Sequence, residues 1–206
     1  MSPRQLRYLA LGDSYTIGEG VAEDERWPVQ LATKLRTQGI PLENPEIIAV
    51  TGWTTDELAA GIDKAHPRGP YDFVSLLIGV NDQYRGRCLD KYRQQFRDLL
   101  QRAIAFSAGD ASRVIVVSIP DWSVTPFARG RESATIAAEI GSFNAANREE
   151  TERASAGYVD ITPLSGTQGK MVVEDGLHPN GKVYTAWTKL ALPIAFAMLR
   201  STRDSS

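Results

Sequence analysis

The sequence predicts an α/β fold, a three-layer α/β/α sandwich around a parallel sheet, and three observations carry that expectation. Short apolar runs alternate with longer amphipathic stretches five times over. No proline-rich or low-complexity linker interrupts the series. The length of 206 residues suits one ordinary domain, 1–206, large enough to bury roughly 70% of its unfolded surface. Such an alternation is solved by parallel strands joined through right-handed helical crossovers.

In chain order, Leu6 to Leu11 reads as the first buried strand and Trp27 to Thr37 as the first long helix. Glu46 to Val50 is the second strand, followed by a helix over Thr55 to Lys64. Phe73 to Ile78 is the third strand, and the helix over Leu89 to Phe106 follows it. There Tyr92, Phe96, Leu99, Leu100, Ala103 and Ile104 recur at helical spacing, so one face is expected to pack on the sheet. Val114 to Ile119 and Tyr158 to Ile161 complete the strands, being short and rich in β-branched residues as buried parallel strands are. Glu132 to Ala154 and Gly181 to Leu199 read as the last two helices. The Ser/Asp-rich tail from Ser201 to Ser206 is expected to fray, and no internal repeat is present.

Composition narrows the function classes. An apolar fraction of 42% and a charged fraction of 23% belong to a soluble globular protein. With 23 basic against 25 acidic residues the net charge is −2, so no basic field exists to hold nucleic acid by counterion release. No apolar stretch approaches the roughly 18 residues that a membrane span needs. The one cysteine, Cys88, has no partner for a disulfide, and no Cys/His spacing resembles a zinc site, so neither metal nor other cofactor is expected. The stretch Met1 to Ala10 lacks a signal-type apolar region with a cleavage site, which reads as cytoplasmic. Oligomeric state is not written in the sequence.

In an open parallel sheet the reactive groups gather outside the carboxyl ends of the strands, and four loops there carry suggestive residues. Gly12-Asp13-Ser14-Tyr15-Thr16-Ile17-Gly18 follows the first strand and can expose a serine hydroxyl while aiming backbone N–H groups at an anion. Read alone, it is equally ordinary turn chemistry. It lacks the Gly-Lys-Ser/Thr ending of a phosphate loop. Gly52, after the second strand, can bring its N–H close to a reacting oxygen, and Thr54 or Thr55 can cap the next helix. Asn81, in Gly79-Val80-Asn81-Asp82, offers a side-chain donor after the third strand. In Asp175-Gly176-Leu177-His178-Pro179 a carboxylate three residues before an imidazole can take its Nδ1–H, leaving Nε2 free to accept a proton from a hydroxyl. The other histidine, His66, precedes Pro67 at the opposite edge of the sheet, so His178 is the better base.

Together these residues resemble the SGNH/GDSL hydrolases, whose name lists the Ser, Gly, Asn and His of four separate blocks. Here the blocks are Gly12-Asp13-Ser14 with Gly18 following, Gly52, Gly79-Val80-Asn81-Asp82, and Asp175 to Pro179. They stand in the family's order and span nearly the whole chain. Each block alone is poorly specific, and their conjunction is what carries the resemblance. It implies a flavodoxin-like fold with five parallel strands and a shallow active site on their carboxyl edge. It further implies a Ser14 nucleophile, a His178 base oriented by Asp175, and an oxyanion hole made by the Ser14 N–H, the Gly52 N–H and the Asn81 amide. A donor of this kind is worth about 10² to 10³ in rate in other acyl-transfer enzymes.

The implied activity is metal-independent cleavage of a small-molecule carboxylic ester. An acyltransferase using the same acyl-enzyme and a non-catalytic binding module on the same scaffold are the competing readings. Intact Ser14, Asn81, Asp175 and His178 weigh against the second. Trp122, in the loop after the fourth strand, either walls the substrate pocket or is a packed loop tryptophan. Arg85 and Arg87, just after the Asn81 block, either meet a polar substrate group or solvate the surface.

Overall fold

The computed structural model describes residues 4–204. Five strands, β1 (Tyr8–Gly12), β2 (Glu46–Ala49), β3 (Phe73–Leu77), β4 (Val114–Val117) and β5 (Gly157–Val159), form one sheet in the order β2-β1-β3-β4-β5. All four pairings are parallel. The helices are α1 (Ser14–Ile17), α2 (Trp27–Thr37), α3 (Thr55–Ala65), α4 (Val80–Tyr84), α5 (Leu89–Phe106), α6 (Ser133–Arg153), α7 (Thr162–Ser165) and α8 (Gly181–Asp204). The long helices α2 and α8 pack on each other, while α5 packs against both α3 and α6, giving the three layers and a flavodoxin-like order.

Packing explains the sequence pattern. Every residue of β1, β3 and β4 is buried, because helices cover both faces and no strand needs a polar side. Along α5, Tyr92, Phe96, Leu99, Leu100 and Ala103 are buried, whereas Ile104 is only partly covered. β2, β3, β4 and β5 end earlier than the apolar runs suggest, whereas β1 runs one residue further, to Gly12. After Val117 the chain leaves the ladder: the Ile119 N–H donates to Asn144 Oδ1 at 2.8 Å and the Ile161 N–H to Ser118 Oγ at 2.9 Å. Side chains there replace strand partners, so buried apolar residues continue past the last ladder bond. The final helix runs beyond Leu199 to Asp204. Ser205 and Ser206 of the expected frayed tail, and Met1 to Pro3 of the expected leaderless start, lie outside the described residues.

The strand order also places the site. The chain turns from β1 to β2 on one side and returns to β3 on the other side of β1. Loops leaving β1 and β3 therefore diverge at their carboxyl ends and leave a crevice between them, the usual ligand position in such sheets.

Candidate active site

Ser14 is the first residue of α1, immediately beyond β1. Asp13 caps that helix, its Oδ1 accepting the Tyr15 N–H at 3.0 Å, and Gly18 closes it in a left-handed conformation (φ 72°) with its N–H on the Ser14 carbonyl. The turn is tight. A Cβ on Gly12 would lie 2.2 Å from Thr16 Oγ1 and 2.5 Å from the Leu77 carbonyl, so only glycine lets β1 and β3 approach here. Asp13 is fully buried and its Oδ2 has no partner. Burial, reinforced by the nearby Asp82 carboxylate, pushes its carboxyl from 3.8 up to about 8. It is therefore largely protonated at neutral pH and adds little negative charge beside Ser14.

A stability test follows from that shift. Unfolded Asp13 loses its proton near 3.8 while the folded residue keeps it to about 8, so raising the pH across this window erodes stability. Asp13→Asn retains the cap and cannot ionise. Its melting temperature relative to the parent is expected to rise between about pH 5 and pH 8. A constant difference across that range would mean that folded Asp13 is charged.

The second and third loops are joined by hydrogen bonds. Gly52 takes a positive φ of 86°, and its carbonyl accepts from Arg85 Nη2 at 2.7 Å. Asn81 Nδ2 donates to the Trp53 carbonyl at 2.9 Å. Buried Asp82 accepts from the Thr55 N–H at 3.0 Å and the Thr55 hydroxyl at 2.8 Å. Thr54, not Thr55, is the cap of α3, with its N–H on Glu57 Oε2 at 2.9 Å. Gly79, opening α4 at φ 127°, has no room for a side chain, since a Cβ would lie 2.3 Å from the Tyr92 hydroxyl.

The last loop brings Asp175 to His178. Asp175 Oδ1 accepts the Leu177 and His178 N–H groups at 2.8 and 2.9 Å, and Oδ2 meets His178 Nδ1 at 2.5 Å. Partial burial opposes the Asp175 charge, but the bonds from the ring and the two backbone N–H groups outweigh it and hold the carboxyl below its usual range. With Nδ1 engaged by a carboxylate, the free imidazole tautomer leaves Nε2 as an acceptor. The ring is buried against Tyr15, with centroids 5.5 Å apart.

Ser14, Gly52, Asn81 and His178, from four distant stretches, line one cavity of about 170 Å³, with Asp175 behind His178. Trp122 also lines it. Arg85 does not: one guanidinium nitrogen holds Gly52 and another lies 3.2 Å from Glu57 Oε1. Arg87 reaches Asp56 and, at 3.7 Å, Asp82. Sequence reasoning gave no site role to Tyr84, Phe127 and Leu177, which line the cavity together with Tyr15, Thr51 and Val80. Tyr84 and Leu177 sit within or beside recognised blocks, a usable signal, whereas nothing local marks Phe127. Among the described residues, no group of three or more His, Cys, Asp or Glu side chains is arranged to hold a metal ion, and no helix is long and apolar enough to cross a membrane.

A doubly wound parallel sheet thus brings a serine, a carboxylate-bound histidine, a glycine and an asparagine around one crevice. The chain belongs to the GDSL-like lipase/acylhydrolase family, whose model matches residues 10–186. No curated protein matches it in sequence. Among solved structures, TesA superposes with a TM-score of 0.72 at 19% identity, covering 93% of this chain and 99% of that one. The W215I variant of Axe2, an acetyl xylan esterase from Geobacillus stearothermophilus, gives 0.72 at 16% identity over 92% and 94%. The psychrotrophic esterase EstA from Pseudoalteromonas sp., inhibited by monoethylphosphonate, gives 0.61 at 18% over 98% of each chain. At these identities the likeness is one of fold.

Proposed function

We propose that the chain is a carboxylic ester hydrolase that works through an acyl-enzyme on Ser14. The observation that carries this reading is the 2.5 Å contact of Asp175 with His178 Nδ1, on an imidazole that shares its cavity with Ser14, Gly52 and Asn81. Ser14 Oγ attacks the ester carbonyl and its proton passes to His178 Nε2, while Asp175 stabilises the imidazolium. The charge that develops on the carbonyl oxygen is received by the Ser14 and Gly52 N–H groups and the Asn81 amide. Collapse expels the alcohol, which takes the proton from His178. Water then repeats the sequence on the acyl-enzyme and releases the acid.

Within this scheme Arg85 is a positioning residue. It holds the Gly52 carbonyl and so fixes the glycine whose own N–H is assigned to the substrate oxygen.

An organophosphonate ester is expected to modify Ser14 covalently, with loss of ester hydrolysis in proportion to labelling. Peptide mass spectrometry locates the adduct. Inactivation in step with modification of any other residue overturns the assignment of the nucleophile.

A further inference from the structure

We propose that the cavity beside Ser14 is an acyl-selecting cage, shaped for one compact apolar group of five or six carbons or a single phenyl ring. The proposal rests on the esterase reading and names the substrate class within it. Away from the polar end, the wall is made by Val80, Tyr84, Trp122, Phe127 and Leu177. Three of these are aromatic and form a triangle, with centroids 5.7 Å apart for Tyr84 and Trp122, 5.9 Å for Trp122 and Phe127, and 6.0 Å for Tyr84 and Phe127. The Arg131 guanidinium lies 5.0, 5.5 and 5.3 Å from the Tyr84, Trp122 and Phe127 centroids, and its Nη2 donates to the Tyr84 hydroxyl at 3.1 Å. One cation thus clamps all three rings through cation–π attraction.

The cage is held on both sides. Buried Trp122 donates its Nε1–H to Gln83 Oε1 at 2.9 Å, and Gln83 Nε2 is held by Glu139 at 2.7 Å. The Phe127 N–H donates to the Gly176 carbonyl at 2.9 Å, which ties the aromatic wall to the loop carrying Asp175 and His178. Tyr84 follows Asn81 by three residues on α4. The apolar space thus adjoins the proposed oxyanion donor, and the proposal places the acyl chain there rather than the alcohol.

Size decides the class. A cavity of about 150 Å³ with apolar walls accepts a benzene; the crevice here measures about 170 Å³ with its Ser14 and His178 end included, so the apolar end holds a group of about that size at most. Sites for larger ligands run from about 300 Å³ upward. Each buried methylene is worth about fourfold in binding, and methylenes beyond the filled cavity stay in water and add nothing.

The test is kcat/KM for 4-nitrophenyl acetate, butyrate, hexanoate, octanoate, decanoate and benzoate. The expected profile rises by up to about 250-fold from acetate to hexanoate, four methylenes at about fourfold each, includes benzoate among the good substrates, and stops rising at octanoate. Phe127→Ala removes an outer, partly exposed ring and is expected to lower the hexanoate-to-acetate ratio by about tenfold. A parallel series of ethyl, butyl, benzyl and octyl acetates should vary little. A profile that is flat or still climbing at decanoate overturns the cage, as does a ratio unchanged by Phe127→Ala. Size selection in the alcohol series instead overturns the acyl assignment.

Binding of ethyl acetate, hexanoate, octanoate and benzoate to Ser14→Ala, followed by tryptophan fluorescence, separates the two readings. If the parent cleaves no ester yet Ser14→Ala binds hexanoate and benzoate more tightly than acetate, with no gain at octanoate, the esterase reading fails and the cage stands. If esters are cleaved but this ranking is absent, only the cage fails.

Discussion

His178→Ala is expected to lower kcat by about 10³ to 10⁶, because removing one member of a cooperating triad forfeits most of what the set achieves. On the proposed mechanism Ser14 loses the base that takes its proton, while Asp175 keeps its bond from the Leu177 N–H and from the backbone N–H of residue 178. His66→Ala is expected to leave kcat within about threefold, since surface substitutions away from special features change little. His66 is exposed, ends α3 in a left-handed conformation at φ 49° and lies before β3, at the opposite edge of the sheet from Ser14. Steady-state kinetics on the two variants decide the matter. A large loss in His66→Ala with near-normal His178→Ala would reverse the assignment of the base.

Asn81→Ala is expected to lower kcat by about 10² to 10³ with little change in KM, because a bond to the oxyanion strengthens only as charge develops. An amide carries two N–H donors. One is committed to the Trp53 carbonyl at 2.9 Å, and the other is available on a residue that lines the cavity. Loss of the Trp53 bond costs about 1 kcal/mol of stability, far too little to abolish folding in a typical domain. Measuring kcat, KM and the melting midpoint on one preparation separates the roles. A destabilised variant with full kcat would leave Asn81 as a turn residue and remove it from the oxyanion hole.

Much of the fold was legible because local chemistry and burial coincide. Continuous apolar runs such as Val114 to Val117 are strands that helices cover on both faces, and the stripe from Tyr92 to Ala103 marks the face of α5 turned inward. Parallel strands put all their exits on one edge, so Ser14, Gly52 and Asn81 could be placed at that edge from position alone. The ends of β4 and β5 shifted where the side chains of Ser118 and Asn144 replaced ladder bonds, a substitution that periodicity does not register.

The tertiary structure alone decided which residues meet. Arg85 looks like a loop cation ready for substrate, yet its guanidinium holds Gly52, 33 positions away. Phe127 carries no local signal, yet its ring joins Tyr84 and Trp122 beneath Arg131. Burial pattern reports how far a side chain is from water, and spacing reports which face of its own element it occupies. Neither encodes the partner across a crevice, because that depends on how separate loops converge at the switch point of the sheet. Sequence by itself determined the sheet, its reactive edge and the chemical types gathered there. Packing of the β3, β4 and β5 exits around that edge determined the cavity's size and its aromatic wall.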